Sequence, residues 1–191
     1  MKTHLSMYAP EVAKLFLEYG IITFHIKKPL TRNHGRLTPI DFNFKKLLED
    51  TSGRGKFKEL IIKFIDDLKP SWNNIIAIRQ SGMYPGTIIS DNLILPLLAK
   101  KESLNTSSND LIVVDVVSNG KTIKSVNSNV FTCFSYNFFQ KESLYVLCDF
   151  ETVIKTALEI NFINEQEASS LLSWQNNPKS WVENHLSMKL L

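Results

Sequence analysis

Three short stretches of this sequence hold residue types that can do chemistry. The first is Val114-Asp115-Val116-Val117-Ser118-Asn119-Gly120-Lys121-Thr122. An apolar run carries one carboxylate and ends in a small polar turn with glycine. As strand, turn and helix start, it offers Asp115 to sugar hydroxyls and the N–H groups of Ser118, Asn119, Gly120, Lys121 and Thr122 to a phosphate. A helix dipole there favours the anion. The turn lacks a Walker-type glycine pattern, so a plain strand-to-helix turn reads the same way. The second stretch is Gly82-Met83-Tyr84-Pro85-Gly86-Thr87. Its two glycines permit close backbone approach to a ligand such as pyrophosphate, and a ligand-free turn rich in Gly and Pro has the same composition. The third is Asn33-His34-Gly35-Arg36-Leu37-Thr38-Pro39, where His34 and Arg36 suit an anion or simply solvent.

The elements that must position these stretches follow from periodicity. Residues 10–20 read as a helix, with Pro10 in the first turn, Val12, Leu15, Phe16 and Tyr19 on one face, and Gly20 as the stop. Residues 21–26 and 40–44 read as strands, 31–39 as a polar loop, and 56–68 as a helix ended by Pro70. The rhythm then alternates: strand 75–78, helix 86–98, strand 111–117, helix 120–131, strand 144–147, and helices 151–158 and 164–174. Residues Ala168, Leu171 and Leu172 share one side of the last. Continuous apolar strands between helices predict an α/β fold, its mostly parallel sheet covered on both faces. Ligands of such sheets sit beyond the carboxyl ends of the strands, here after Ile78, Val117 and Leu147.

The chain of 191 residues, 43% hydrophobic and 21% charged, fits one domain. Its longest apolar runs, 93–99 and 111–117, are too short to cross a bilayer. The N-terminal Met1-Lys2-Thr3-His4-Leu5 has no apolar signal region, so a cytoplasmic protein without membrane contact is expected. Cys133 and Cys148 form neither a disulfide framework nor a metal spacing and are expected as buried thiols, and no protein metal site is expected. Residues 1–64 carry 12 Lys and Arg against 6 Asp and Glu, whereas 65–191 carry 10 against 13. The basic third can attract anions or be a solvated surface. No arginine-rich run, zinc-finger spacing or aromatic RNA motif accompanies it, so nucleic acid is not an expected partner. Phe131, Phe134, Tyr136, Phe138 and Phe139 cluster around Cys133 as core packing or a dimer surface.

Taken in order, the stretches resemble the orotate phosphoribosyltransferase family. Residues 33–39 followed by Ile40-Asp41-Phe42-Asn43 are similar to its Lys-Ser-Gly-Arg-x-Ser-Pro loop and aromatic strand, and 82–86 to its Gly-x-x-x-Gly pyrophosphate loop. Leu95-Pro96 with Lys100-Lys101-Glu102 resembles the lead into its mobile catalytic loop. Residues 114–120 resemble its Asp-Asp-Val-x-Thr-x-Gly motif, and 146–151 its Val-Asp-Arg strand end. Trp174 and Trp181, flanking Pro178, resemble its tryptophan-containing helical tail, which they would anchor. The resemblance implies a type I phosphoribosyltransferase-like fold: a small N-terminal hood (1–50), and a core with a C-terminal helical tail (51–191). It implies phosphoribosyl pyrophosphate or a nucleotide as ligand, magnesium if the chain is active, and a homodimer.

The same resemblance marks departures. Val114 stands where the first of two ribose-gripping carboxylates belongs, a loss of about 1–3 kcal/mol of interaction. Ser118 keeps a hydroxyl in place of threonine. Asn33 replaces a lysine and Phe150 an arginine on the base side, so an anionic orotate loses two cations. The connection 102–110 contains no Lys, His or Gly, unlike the family's long catalytic loop. Arg36, Lys100 and Lys101 are the remaining candidates to neutralise a leaving pyrophosphate. Two main functions follow: a non-catalytic module that keeps the phosphoribosyl pocket, or a divergent transferase acting on a pyrimidine-like base. A nucleic-acid-binding regulator is a distant third, distinguished by steep salt dependence.

Overall fold

The computed structural model describes residues 3–32, 35–68, 70–101 and 106–187. The N-terminal elements are β1 (His4–Leu5), α1 (Ala9–Glu18), β2 (Ile22–Phe24), β3 (Leu30–Thr31), β4 (Leu37–Thr38), β5 (Ile40–Phe42), α2 (Lys45–Glu49) and α3 (Thr51–Leu68). Then come β6 (Asn74–Ile78), a 3₁₀ turn Gln80–Gly82, α4 (Met83–Leu93), β7 (Leu97–Lys100), β8 (Asp110–Val117), β9 (Asn129–Ser135) and β10 (Leu144–Asp149). The chain continues with α5 (Phe150–Glu159), α6 (Glu165–Asn176) and α7 (Pro178–Ser187). Pro10 lies in the first turn of α1 and Gly20 follows its end at φ +62°. Asn164 caps α6 reciprocally: its Oδ1 accepts the Glu167 N–H at 2.9 Å, and Glu167 Oε2 accepts the Asn164 N–H at 3.1 Å.

Six strands form the central sheet in the order β1-β10-β9-β8-β6-β7, every neighbouring pair parallel. Two antiparallel pairs, β2 with β5 and β3 with β4, lie outside it. The loop expected at 31–39 is therefore built around a short hairpin, because Leu30 and Thr31 pair with Thr38 and Leu37. The region 86–98 divides into the end of α4 and edge strand β7, since Ile94 turns left-handed at φ +55° and ends the helix. Strands β1 and β9 also go beyond the sequence expectation.

The helix expected at 120–131 is absent. Residues 121–125 are turns and β9 begins at Asn129. The reason is length. Val117 pairs with Ser135 and Leu111 with Asn129, so the return path spans six residue steps of strand, about 20 Å. The eleven residues between β8 and β9 reach only about 16 Å as a helix. A less compact path makes the crossover. Consequently the two faces of the sheet are covered differently. The helices feed one large cluster through residues such as Val12, Phe16, Ile61, Ile89, Val153 and Leu171. The opposite cluster of strand residues is closed by Ile123, Val126 and Phe139, and it contains no helical residue among those described.

Helix α4 lies close on the sheet because glycines face it. A Cβ on Gly82 would stand 2.4 Å from the Val113 carbonyl oxygen, and one on Gly86 would meet Ala77 Cβ at 3.2 Å. Trp174 and Trp181 are buried in the main cluster, which fastens α6 and α7. Leu172 is exposed, unlike its expected neighbours Ala168 and Leu171. No helix among the described residues is long and apolar enough to cross a membrane.

Gly82→Ala is expected to destabilise the fold by roughly 1–3 kcal/mol through overpacking, lowering Tm by several degrees in a thermal melt. A variant melting within a degree of the native chain would contradict the contact. Cys133 and Cys148 are fully buried, and burial pushes both thiols well above their ordinary range. Neither should react with a disulfide reagent in the native protein, and both should react once it is unfolded.

Candidate functional site

The order of strands changes direction at β6. The chain passes from β6 outward to β7, then crosses back to place β8 on the other side of β6. Pairing between β6 and β8 runs from Asn74 and Asp110 to Ala77 and Val113 and stops there. Beyond it the chain leaves β6 towards α4 and leaves β8 towards the crossover, so a crevice opens at the carboxyl ends of both strands. Such a topological switch point is where open α/β sheets bind ligands.

Three residues form the floor of this crevice. Ser81 Oγ donates to Asp115 Oδ1 at 2.8 Å, tying the turn after β6 to β8. Arg79 stands at φ 59°, ψ 176°, a conformation largely reserved for glycine, which costs an L-residue about 1–3 kcal/mol. Its N–H donates to the Lys100 carbonyl at 2.9 Å, extending the β6–β7 pairing by one residue. On one side of Arg79, Ser81 and Asp115 lies a cavity of about 120 Å³, walled by Val114, Val117, Ser118, Asn119, Gly120, Lys121 and Thr122. On the other lies a cleft of about 710 Å³, walled by Phe42, Asn43, Phe44, Lys45, Glu49, Gln80 and Tyr84. A water occupies about 30 Å³ of liquid, so the smaller space suits a phosphate-sized group. The larger is within the usual range for small-molecule sites, roughly 300–1,000 Å³. Its aromatic wall is continuous, with Phe42 stacked on Phe44 at 6.0 Å and Phe44 tilted against Tyr84 at 6.3 Å.

The turn after β8 is shaped by two local contacts. Asn119 Oδ1 accepts the Lys121 N–H at 3.2 Å, so one donor of the turn already has a side-chain partner. Gly120 adopts φ +70°, and a Cβ there would come within 2.3 Å of the Phe139 ring. With no helix following, the turn has N–H groups but no helix dipole behind them.

The structure gathers Asp115, Ser118, Asn119, Gly120, Lys121 and Thr122 around the smaller cavity. Of the second stretch, only Tyr84 lines the cleft. Gly82, just before α4, and Gly86 within it approach the sheet rather than open space, Pro85 is buried in the same helix, and Met83 begins it. The turn at the end of β6 is instead Arg79, Gln80 and Ser81. The strand pattern marks the loop after Ile78, but its lining residues Arg79, Gln80 and Ser81 lie one to three positions before Gly82. Phe150 is fully buried against Tyr136 and Trp174 in the core, so it joins neither cavity. Gly35 and Arg36 are exposed at the β3–β4 hairpin, and Lys101 is exposed after β7; none of the three lines the crevice. The Lys100 carbonyl accepts the Arg79 N–H, and Lys100 is not among the lining residues of either space. Asn33 and His34 lie outside the described residues, as do residues 102–105 of the β7–β8 connection. A separate shallow groove of about 540 Å³ lies between Phe24, Lys27 and Lys28 on one side and Phe162 and Glu167 on the other.

No protein-family model matches the chain. It is similar to the orotate phosphoribosyltransferase of Coxiella burnetii, 24% identical over 204 residues, covering 91% of this chain and 98% of that one. The Cytophaga hutchinsonii enzyme of the same name is 21% identical over 205 residues, with the same coverage of each chain. Among solved structures, Leishmania donovani UMP synthase matches at TM-score 0.67 and 14% identity over 88% of this chain, which spans only 42% of that synthase. Orotate phosphoribosyltransferase from Aeropyrum pernix matches at TM-score 0.57 and 15% identity, over 80% of this chain and 99% of that one.

Gly120→Ala combines a left-handed backbone with a ring contact. It is expected to cost roughly 1–3 kcal/mol in denaturant unfolding, and a cost below about 0.5 kcal/mol would contradict the packing of Phe139 on the turn.

Proposed function

This chain is a divergent relative of the orotate phosphoribosyltransferases with a type I phosphoribosyltransferase fold, and from that premise we propose that it binds phosphoribosyl pyrophosphate or a nucleotide in the β6–β8 crevice without transferring the sugar to orotate. The observation that carries this reading is the Ser81–Asp115 pair, which forms the common wall of a phosphate-sized cavity and a larger aromatic cleft at the switch point. The 5′-phosphate would lie on the N–H groups of Ser118, Asn119 and Gly120, within the turn that Lys121 and Thr122 complete. Asp115, oriented by Ser81, would accept ribose hydroxyls. A base or pyrophosphate would extend into the cleft beside Phe42, Phe44 and Tyr84.

The case against transfer rests on what stands at the neighbouring positions. Val114 is only 7% exposed and packs within the second hydrophobic cluster, so Asp115 has no adjacent carboxylate. Phe150 is core, and Arg36 and Lys101 lie away from the crevice. Magnesium fits poorly with the chain's own residues. No three His, Cys, Asp or Glu side chains gather to hold a metal among the described residues, and Asp115 is already hydrogen-bonded to Ser81. A magnesium ion would have to arrive with the phosphates of its ligand.

A second reading, a divergent transferase, is favoured by the Asp115 carboxylate and the Ser118 hydroxyl at the cavity. There a ring nitrogen of the base would displace pyrophosphate from the anomeric carbon. The proposal extends to a cytoplasmic homodimer. An interface fits the edge strand β7, beside which Ile94 is 91% exposed and on which Leu98 is 42% exposed.

Calorimetric titration with phosphoribosyl pyrophosphate, with and without magnesium, tests the reading. Micromolar binding is expected, weakened about tenfold or more in Asp115→Asn through loss of charge-assisted hydrogen bonds, with no orotate consumed in a parallel assay. Turnover of orotate would establish the transferase reading instead. Absence of heat with both the donor and a nucleoside 5′-monophosphate would overturn binding altogether.

A further inference from the structure

The groove beside Phe24 and Phe162 is built on the outer edge of β2. That strand bonds to β5 through alternate residues. The His25 N–H donates to the Pro39 carbonyl at 2.6 Å and the Asn43 N–H to the Ile21 carbonyl at 2.7 Å, on either side of the Thr23–Asp41 pair. By the alternation of an antiparallel ladder, the N–H and C=O groups of Phe24 turn away from β5. No second strand pairs with β2 among the described residues. Thr23 and His25 from one face of the strand and Phe24 and Ile26 from the other all border the groove, so it faces the edge itself. On the opposite wall Phe162 is 51% exposed and meets Phe24 edge to face at 6.2 Å. Lys27 and Lys28 also border the groove, exposed and without an ion pair or hydrogen bond among the described residues. Glu167, the carboxylate across from them, is turned to its own helix, where Oε2 accepts the Asn164 N–H.

We infer that this groove receives an extended, acidic segment of a partner protein, added to the open edge of β2 as a third strand. Each part of the site has a role in that mode of recognition. The main-chain groups of Phe24 supply strand-to-strand hydrogen bonds, and the space between Phe24 and Phe162 takes an apolar side chain of the incoming strand. Lys27 and Lys28, uncompensated by their own chain, select Asp or Glu in the residues that follow it. The wall from Thr23 to Lys28 is six residues long, which matches about 20 Å of extended peptide. Lysines beside aromatic rings also attract nucleic acid, but bases stack on open ring faces. Phe24 and Phe162 are instead engaged with one another, and an unpaired strand edge is matched by a peptide backbone. The groove shares no lining residue with the two spaces of the β6–β8 crevice, so the inference is independent of the ligand bound there.

The test selects binders to the full chain from a library of random octapeptides. The most enriched peptide is synthesised and titrated against the native chain, against Phe162→Ser, and against the double variant Lys27→Glu with Lys28→Glu. Enriched sequences should place apolar residues two apart beside Asp or Glu. Affinity should fall roughly tenfold or more in each variant, through loss of an apolar anchor in one and like-charge repulsion in the other. All three substituted side chains are exposed, so the variants should melt with the native chain. Hydrogen exchange at the Phe24 amide should slow when the peptide binds, a change that attraction to the lysines alone would not produce. No enrichment, enrichment of basic sequences, equal affinity in the variants, or unchanged exchange at Phe24 would each overturn the inference. It would be overturned in favour of nucleic acid by salt-sensitive binding of oligouridylate that the lysine variant abolishes, with no acidic peptide enriched. A native dimer that Phe162→Ser converts to monomers would overturn it in favour of a second copy of this chain.

Discussion

A parallel sheet whose strands follow one another on both sides of a starting strand must part somewhere, and in this protein it parts between β6 and β8. These strands are buried on both faces through Ile75, Ile76, Ile112 and Val113, so their pairing is fixed by the hydrophobic effect as far as Ala77 and Val113. Beyond that point their chains leave in different directions. The crevice is a consequence of topology, and the side chains around it are only as well placed as the strands below. The closeness of α4 belongs to the same constraint. Gly82 meets the Val113 carbonyl, so the turn carrying Arg79 and Ser81 sits directly over the end of β8 and brings Ser81 within hydrogen-bonding distance of Asp115.

The second determinant is the length of the β8–β9 crossover. Too few residues for a full helix leave one face of the sheet closed by Ile123, Val126 and Phe139. The segment before β10 fastens this cover: the Phe139 ring rests on Gly120, and Lys141 Nζ donates to the Ser128 carbonyl at 3.1 Å. Burial lowers the Lys141 pKa, because partial desolvation penalises its ammonium form. Packing and binding thus meet in one turn. It covers the hydrophobic cluster on one side and lines the smaller cavity on the other, with Asn119 satisfying one of its N–H groups.

Much of the fold was legible in the sequence where hydrophobic patterning was unambiguous. Helices α1, α3, α5 and α6 and strands β6, β8 and β10 follow directly from periodicity, capping residues and apolar runs. Strand β9 is not legible, because Phe131, Cys133 and Phe134, a fully buried run, cannot be told from a buried helix by pattern alone. The site was partly legible. A carboxylate followed by a small polar turn after the most strand-like segment marked Asp115 and residues 118–122. Arg79 and Ser81 were not singled out because neither residue type is distinctive, and their meaning lies in a backbone angle and a contact between residues 34 apart. Phe150 is ambiguous in the sequence for a related reason: the first residue of a helix can face a pocket or the core, and only packing against Tyr136 and Trp174 decides.

The central claim is that the β6–β8 crevice receives a phosphorylated ribose. Backbone amide NMR shifts followed during titration with phosphoribosyl pyrophosphate test it most directly. The account predicts saturable changes concentrated at Arg79, Ser81, Gly82, Asp115 and the turn from Ser118 to Thr122, with little change around Phe24 and Phe162. Shifts centred on that second groove, or none at the crevice at millimolar ligand, would contradict it.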